Sequence, residues 1–185
     1  MSVLLHICCG PCTTYPLEVL KGEGIQVHGY FYNPNIHPYL EFRKRLEAVE
    51  QLASRTNLPV DYCREYGLRY YLRQVVFNEE SRCGLCYDMR LREVVVKAKK
   101  MGADAFTSTL LYSRYQSHDL IRRKAEDLAE EHKIPFLYYD FRQGWQQGID
   151  MSREMNLYRQ SYCGCIYSEQ ERYDKHFRKN KSDDG

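Results

Sequence analysis

The sequence contains no apolar run approaching the roughly 20 residues that a membrane-spanning helix requires, and no basic segment leading into an apolar stretch at its start. Met1-Ser2-Val3-Leu4-Leu5-His6 runs straight into a cysteine cluster. No secretory signal and no membrane contact are therefore expected, and the protein is expected in the cytoplasm. Thiols stay reduced there, which counts against a disulfide framework. Charge of one sign is also scarce: the formal net charge is +2, so bulk electrostatics do not announce a nucleic-acid binder. Local basic runs occur at Arg122-Arg123-Lys124, at Lys97 with Lys99-Lys100, and from Arg172 through Lys175, Arg178, Lys179 and Lys181. Each reads first as the solvated face of a helix. Internal repeats and disordered linkers are missing before a polar end. The 185 residues, 43% hydrophobic and 28% charged, are expected to form a single domain over 1–178 with a polar tail over 179–185.

What the chain does have is a strand–helix alternation. Val3–Ile7, Ile25–Tyr32, Leu58–Tyr62, Ala103–Ser108 and Pro135–Tyr139 read as short apolar or β-branched strands. Helices are expected from Pro11 to about Gly22, over Tyr39–Thr56, Leu68–Phe77, Asp88–Lys100 and Gln116–His132, and from Gly144 to Arg159. Asn33-Pro34-Asn35-Ile36-His37-Pro38 is too rich in turn residues to be regular. This order predicts an α/β, Rossmann-like fold. A mainly parallel sheet would be flanked by helices, with cysteine-bearing loops at the carboxyl ends of strands. Aromatic residues make up 14%, seventeen tyrosines among them. Runs such as Tyr112-Ser113-Arg114-Tyr115-Gln116 suit stacking on an unpaired base as well as core filling.

Seven of the eight cysteines lie in three clusters: Cys8-Cys9-Gly10-Pro11-Cys12, Cys83-Gly84-Leu85-Cys86 and Cys163-Gly164-Cys165. Cys83 and Cys86 can reach one metal across a turn that Gly84 eases. Cys8 and Cys9 can face one centre only in an irregular loop. One tetrahedral zinc takes four thiolates and would leave three unexplained. The count fits a four-cysteine iron–sulfur cluster plus a second function. Cys163 and Cys165 could form a strained, easily reduced disulfide, or could both bind a second metal. Cys63, alone after a strand, reads as a small buried residue. A tRNA sulfurtransferase of ATP-pyrophosphatase-like fold would need a Gly/Ser-rich phosphate loop where Cys8–Cys12 stands. A zinc-stabilised RNA-binding module is the non-enzymatic alternative.

His6-x-Cys8-Cys9-x-Pro11-Cys12, Tyr32-Asn33-Pro34-Asn35-Ile36, Arg82-Cys83-x-x-Cys86-Tyr87, Arg90-Leu91, Thr109-Leu110-Leu111, Asp140-Phe141-Arg142 and Tyr158-Arg159-Gln160-x-Tyr162-Cys163-Gly164-Cys165 together resemble the QueH family of epoxyqueuosine reductases. Gly10 stands where alanine is common, and either residue is expected to keep the turn compact. The resemblance implies reduction of the epoxide of epoxyqueuosine at the tRNA wobble position to an alkene. That is the last step of queuosine biosynthesis, independent of cobalamin and fed by an external electron donor. It implies a 4Fe–4S cluster on Cys8, Cys9, Cys83 and Cys86. It also implies a catalytic set of Cys163, Cys165 and Cys12, acting as a redox disulfide or as ligands of a second, mononuclear iron. Deoxygenation consumes two electrons and two protons, so an element beside a one-electron cluster is expected. The metal is preferred because it also accounts for Cys12. Candidate proton donors are His6, Asp88 and Tyr162. Expected substrate contacts are Asn33, Asn35, Gln116, Arg142, Arg159 and Gln160, whose amides and guanidiniums can read a base edge or phosphates in the anticodon loop.

Overall fold

The computed structural model describes residues 1–176; the expected tail over 179–185 lies outside them. Four parallel strands form one sheet: β1 (Ser2–Ile7), β2 (Gln26–Phe31), β3 (Val60–Tyr62) and β4 (Ala105–Ser108), in the spatial order β3-β2-β1-β4. Val3, Leu4, Leu5 and Ile7 of β1 are all buried, as expected for a central strand covered on both faces. The helices are α1 (Gly10–Gly22), α2 (Tyr39–Thr56), α3 (Leu68–Val75), α4 (Arg82–Met101), α5 (His118–His132), α6 (Trp145–Glu154) and α7 (Ile166–Tyr173). Short 3₁₀ turns cover Glu79–Ser81, Thr109–Tyr112 and Phe141–Gly144. The Rossmann-like α/β expectation holds.

The core follows the apolar periodicity. Phe42, Leu46, Val49 and Leu52 of α2 and Leu91, Val94, Val95 and Ala98 of α4 are buried. Each large apolar side chain removed from water contributes about 1.5–3 kcal/mol.

Four details depart from expectation. Cys83 and Cys86 lie at the start of α4, not in a loop before it. Cys86 and Met89 pack with Tyr71, Val75 and Cys165 in a second apolar cluster. That burial outweighs the roughly 1 kcal/mol that Gly84 costs a helix. The expected fifth strand is reduced to one bridge, Phe106 with Phe136. Pro135 has no N–H, so only Phe106 N–H to Pro135 O (3.0 Å) and Leu137 N–H to Phe106 O (2.8 Å) form. The helix expected to reach Arg159 ends at Glu154, because Asn156 takes a left-handed conformation (φ 46°). Leu157 N–H then returns to Ser152 O at 3.0 Å, burying Leu157. Finally, α7 begins directly after Cys165, in a stretch where no helix was expected.

Candidate metal centre and substrate cavity

After β1 the chain crosses to β2 and β3 on one side, and later to β4 on the other. The crevice between the carboxyl ends of β1 and β4 is the switch point where such sheets hold ligands. The first cysteine cluster stands there. Cys8 N–H donates to Thr109 Oγ1 at 3.0 Å, and the Thr109 hydroxyl lies 3.2 Å from Cys8 Sγ, closing the crevice across the two strand ends. Cys9 caps α1: its Sγ accepts the Cys12 N–H at 3.4 Å. The sulfurs of Cys8, Cys9 and Cys12 all lie within 4.8 Å of one another, the Cys8–Cys9 pair at 3.7 Å.

The other two clusters also stand at helix N-termini, where backbone N–H groups without a partner in the helix can face a sulfur. Cys83 and Cys86 are one turn apart at the start of α4, the first exposed and the second buried. Cys165 caps α7, its Sγ accepting the Ser168 N–H at 3.4 Å. Every cysteine is a free thiol.

Two buried cations organise these groups. Arg45 of α2 pairs with Glu41 at 2.7 Å and donates to the carbonyls of Cys163 (2.7 Å) and Tyr162 (3.0 Å), fixing the segment before Gly164. Gly164 itself has φ 147°, and a Cβ there would meet Arg45 Nη1 at 3.2 Å. Arg90 of α4 is fully enclosed; burial opposes its cation, and the nearby sulfurs of Cys86, Cys163 and Cys8 favour it. Its Nη2 is buried without a hydrogen-bond partner among the described residues. A buried guanidinium N–H left over among thiols is what a negatively charged thiolate-bound centre would satisfy, so the residues fit such a group.

The first cluster divides its protons unequally. Hydrogen bonds from Cys12 and Cys9 hold the Cys8 thiol well below the ordinary range. Burial pushes Cys9 up, and hydrogen bonding to Cys8 pushes Cys12 up. Burial pushes Cys86 up to about 12. His6 is lowered to about 4 by burial and by Arg90, and so is neutral between Ser108 Oγ (2.8 Å) and Tyr32 O (3.1 Å).

A cavity of about 590 Å³ opens over the first cluster, and Cys8, Cys12 and Cys163 line it. Among the expected substrate contacts, Gln116, Arg159 and Gln160 also line it. Gln160 Nε2 is 2.9 Å from Cys9 Sγ and 3.5 Å from Cys12 Sγ, while Gln116 Nε2 is 3.1 Å from Cys163 Sγ. Asn33, Asn35 and Arg142 are placed elsewhere. Asn33 is buried and donates to Ile7 O at 2.8 Å. Asn35 is buried beside Gly164, and Arg142 pairs with Asp140 at 2.6 Å. Of the expected proton donors, Tyr162 is on the cavity wall, whereas Asp88 lies between Arg92 and Lys124. Cys63 is half-buried against the main core.

Arg45 and Thr109 were not singled out for the site. A signal for Arg45 existed: it falls between Phe42 and Leu46 on the buried stripe of α2, where a cation needs a partner.

A family model described as epoxyqueuosine reductase QueH matches residues 3–171. The chain belongs to the QueH family. A QueH epoxyqueuosine reductase of Dehalococcoides mccartyi is 38% identical over 174 residues, covering 94% of this chain and 96% of the relative. One from Thermotoga maritima is 34% identical over 185 residues, covering 95% and 94%. Among solved structures, a predicted subunit of a tRNA methyltransferase from Methanocaldococcus jannaschii is similar in fold. Its TM-score is 0.55 at 11% identity, covering 83% of this chain and 76% of that one. The QueH motifs therefore occupy an α/β frame shared with that structure. Among the described residues, no helix is long and apolar enough to cross a membrane.

Proposed function

We propose that this QueH protein reduces the epoxide of epoxyqueuosine in tRNA to the alkene of queuosine, completing queuosine biosynthesis. The observation that carries the reading is the thiol-walled cavity at the β1/β4 switch point, in a chain matching the QueH model nearly end to end. Two electrons and two protons convert the epoxide to an alkene and water. When bound, a 4Fe–4S cluster and a second cysteine-based element, preferably a mononuclear iron, supply the electron transfer. Cys8, Cys9, Cys83 and Cys86 hold the cluster; Cys12, Cys163 and Cys165 hold the second element.

The chain's own residues do the rest. Gln160 and Gln116 place amide N–H groups on the sulfurs of both sets and face the cavity, where each can also meet a base edge. Arg159, exposed on the rim, meets phosphate. Burial pushes the Tyr162 hydroxyl up, so it keeps its proton, which it donates to His37 O; the ring rather than the hydroxyl proton is what Tyr162 offers the cavity. Asn33 and Asn35 shape the loop that holds Gly164, with His37 N–H donating to Gly164 O at 2.8 Å. The phosphate-loop alternative is disfavoured because the Cys12 N–H at the start of α1 is already given to Cys9 Sγ.

The closeness of Cys12 to Cys8 and Cys9 favours a second division of ligands, in which all three serve one centre. Anaerobic iron and sulfide quantification, with turnover of epoxyqueuosine-containing tRNA under a strong reductant, tests both. Iron with sulfide is expected. Cys83→Ser abolishes the cluster, and Cys163→Ser keeps it but stops turnover. Cys12→Ser keeps the cluster under the first division and loses it under the second. Stoichiometric zinc without iron overturns the redox reading.

A further inference from the structure

The rim of the cavity carries three rings in sequence. Tyr112 is buried and packs where Gly148 of α6 leaves room for its hydroxyl end. Its hydroxyl donates to Trp145 O at 2.8 Å, and its ring stacks on Trp145 at 5.1 Å with the planes 26° apart. Trp145 in turn meets Tyr115 edge-on, at 5.6 Å and 78°. Tyr115 is 86% exposed, and its N–H is held by Ser113 Oγ at 3.2 Å. Exposure alone means little for a single aromatic residue. Here the exposed ring is braced through a second ring to a buried third, so its orientation is set before anything binds.

Two further facts point to the occupant. The Arg114 guanidinium lies 5.7 Å from the Trp145 ring centre, and Arg159 and Arg172 line the same rim. None of the three is ion-paired to a carboxylate among the described residues. The next residue after Tyr115 is Gln116, whose amide touches Cys163 Sγ at 3.1 Å. A ring that stacks, cations without carboxylates, and a position one residue from a thiol of the site together suit an unpaired nucleotide rather than an apolar partner.

We propose that Tyr115, braced by Trp145, is the stacking platform for the unpaired base adjacent to the modified nucleotide, and that Arg114 contacts the phosphate between them. Holding the neighbouring base splays the modified one toward the cavity. This rests on the reading that tRNA is the substrate, and it makes Tyr115 a positioning residue rather than a catalytic one.

The iron-loaded protein is assayed with an anticodon stem-loop RNA carrying epoxyqueuosine. Tyr115→Ala is expected to raise KM about tenfold with kcat little changed, the size of one lost base stack. Tyr115→Phe and Tyr115→Trp should restore KM, because each keeps a stacking face. Arg114→Ala should weaken binding and reduce its salt dependence by about one phosphate contact. Trp145 is the single tryptophan of the chain, so RNA titration should quench its emission, with a midpoint that moves with Tyr115→Ala. An unchanged KM and midpoint in Tyr115→Ala, or a loss in Tyr115→Phe equal to that in Tyr115→Ala, overturns the proposal. Quenching that responds to Tyr115→Ala without any epoxide reduction by the wild type would sink the reductase reading and leave the platform standing. An unaltered melting temperature of each variant separates lost stacking from lost fold.

Discussion

His37 shows how one side chain ties the fold to pH. It is buried, its Nε2–H donates to Pro34 O at 3.1 Å, and its Nδ1 has no partner among the described residues. Burial lowers its pKa from the ordinary 6.5 to about 4. The folded state therefore holds the neutral ring. Its contribution to stability is complete above pH 6.5 and is lost as pH falls from 6.5 toward 4. Between pH 7 and pH 5 this group alone should cost on the order of 2 kcal/mol, at about 1.4 kcal/mol per pH unit. Urea unfolding at the two pH values measures it. His37→Gln, which keeps a donor for Pro34, should start less stable but lose less on acidification. A histidine in a turn-rich loop carried no such message in the sequence, because its burial depends on Tyr66 and Tyr71, whose rings lie 5.8 and 5.1 Å away. The thiols of the site were legible one by one, since no other residue type clusters in that way. The partners of the buried cations Arg45 and Arg90 were not, because a charge inside a helix pattern shows what it pairs with only after the chain has folded.

Between elements, α1 meets the backbone of α2 closely beside the first cysteine cluster. A Cβ on Gly10 would lie 2.8 Å from Ala48 O and 3.3 Å from Ala48 Cβ. Alanine at this position is thus not the neutral alternative expected from the turn alone, because the obstacle is the neighbouring helix. Gly10→Ala should destabilise the protein by about 1–3 kcal/mol, the ordinary cost of overpacking. Thermal unfolding checks this. Adding Ala48→Gly should rescue only in part, since the nearest atom is a backbone carbonyl. Other elements divide by how local their causes are. The strands β1 to β4 and helices α2 and α5 follow from runs and periodicity that each segment carries by itself. The start of α4 does not: Gly84 argues against a helix there, and only burial of Cys86 beside Tyr71 and Cys165 decides for one. The missing fifth strand turns on Pro135, and the early end of α6 on Asn156. Both residues are visible in the sequence, but as permissive signals. The helix after Cys165 escaped notice because no apolar stripe marks it, and none of its residues is buried.

At the scale of the molecule, all three cysteine clusters sit at helix starts, delivered by α1, α4 and α7. The order β3-β2-β1-β4 is what brings distant segments together. The fold class and family were legible because each motif is local, but how the thiols group in space depends on that order. Their burial is graded: Cys83 and Cys163 are exposed, Cys8 and Cys63 half-buried, and Cys9, Cys12, Cys86 and Cys165 buried. Alkylation reads this gradient. In metal-free protein under native conditions, brief treatment with iodoacetamide should label Cys83 and Cys163 first. Cys9, Cys12, Cys86 and Cys165 should react only on unfolding, because attack requires an accessible thiolate. Cys8 should react at an intermediate rate, since its depressed pKa offsets its partial burial. Loading with iron and sulfide should protect Cys83 and Cys163 as well, while leaving Cys63 at its metal-free rate. Peptide mass spectrometry after each treatment distinguishes the outcomes. Protection that spreads equally to Cys63 would mean that loading tightens the whole fold, not that the seven clustered thiols bind the metal. Uniform fast labelling without metal would mean that the ions, rather than the buried cations and helix caps, hold the clusters in place.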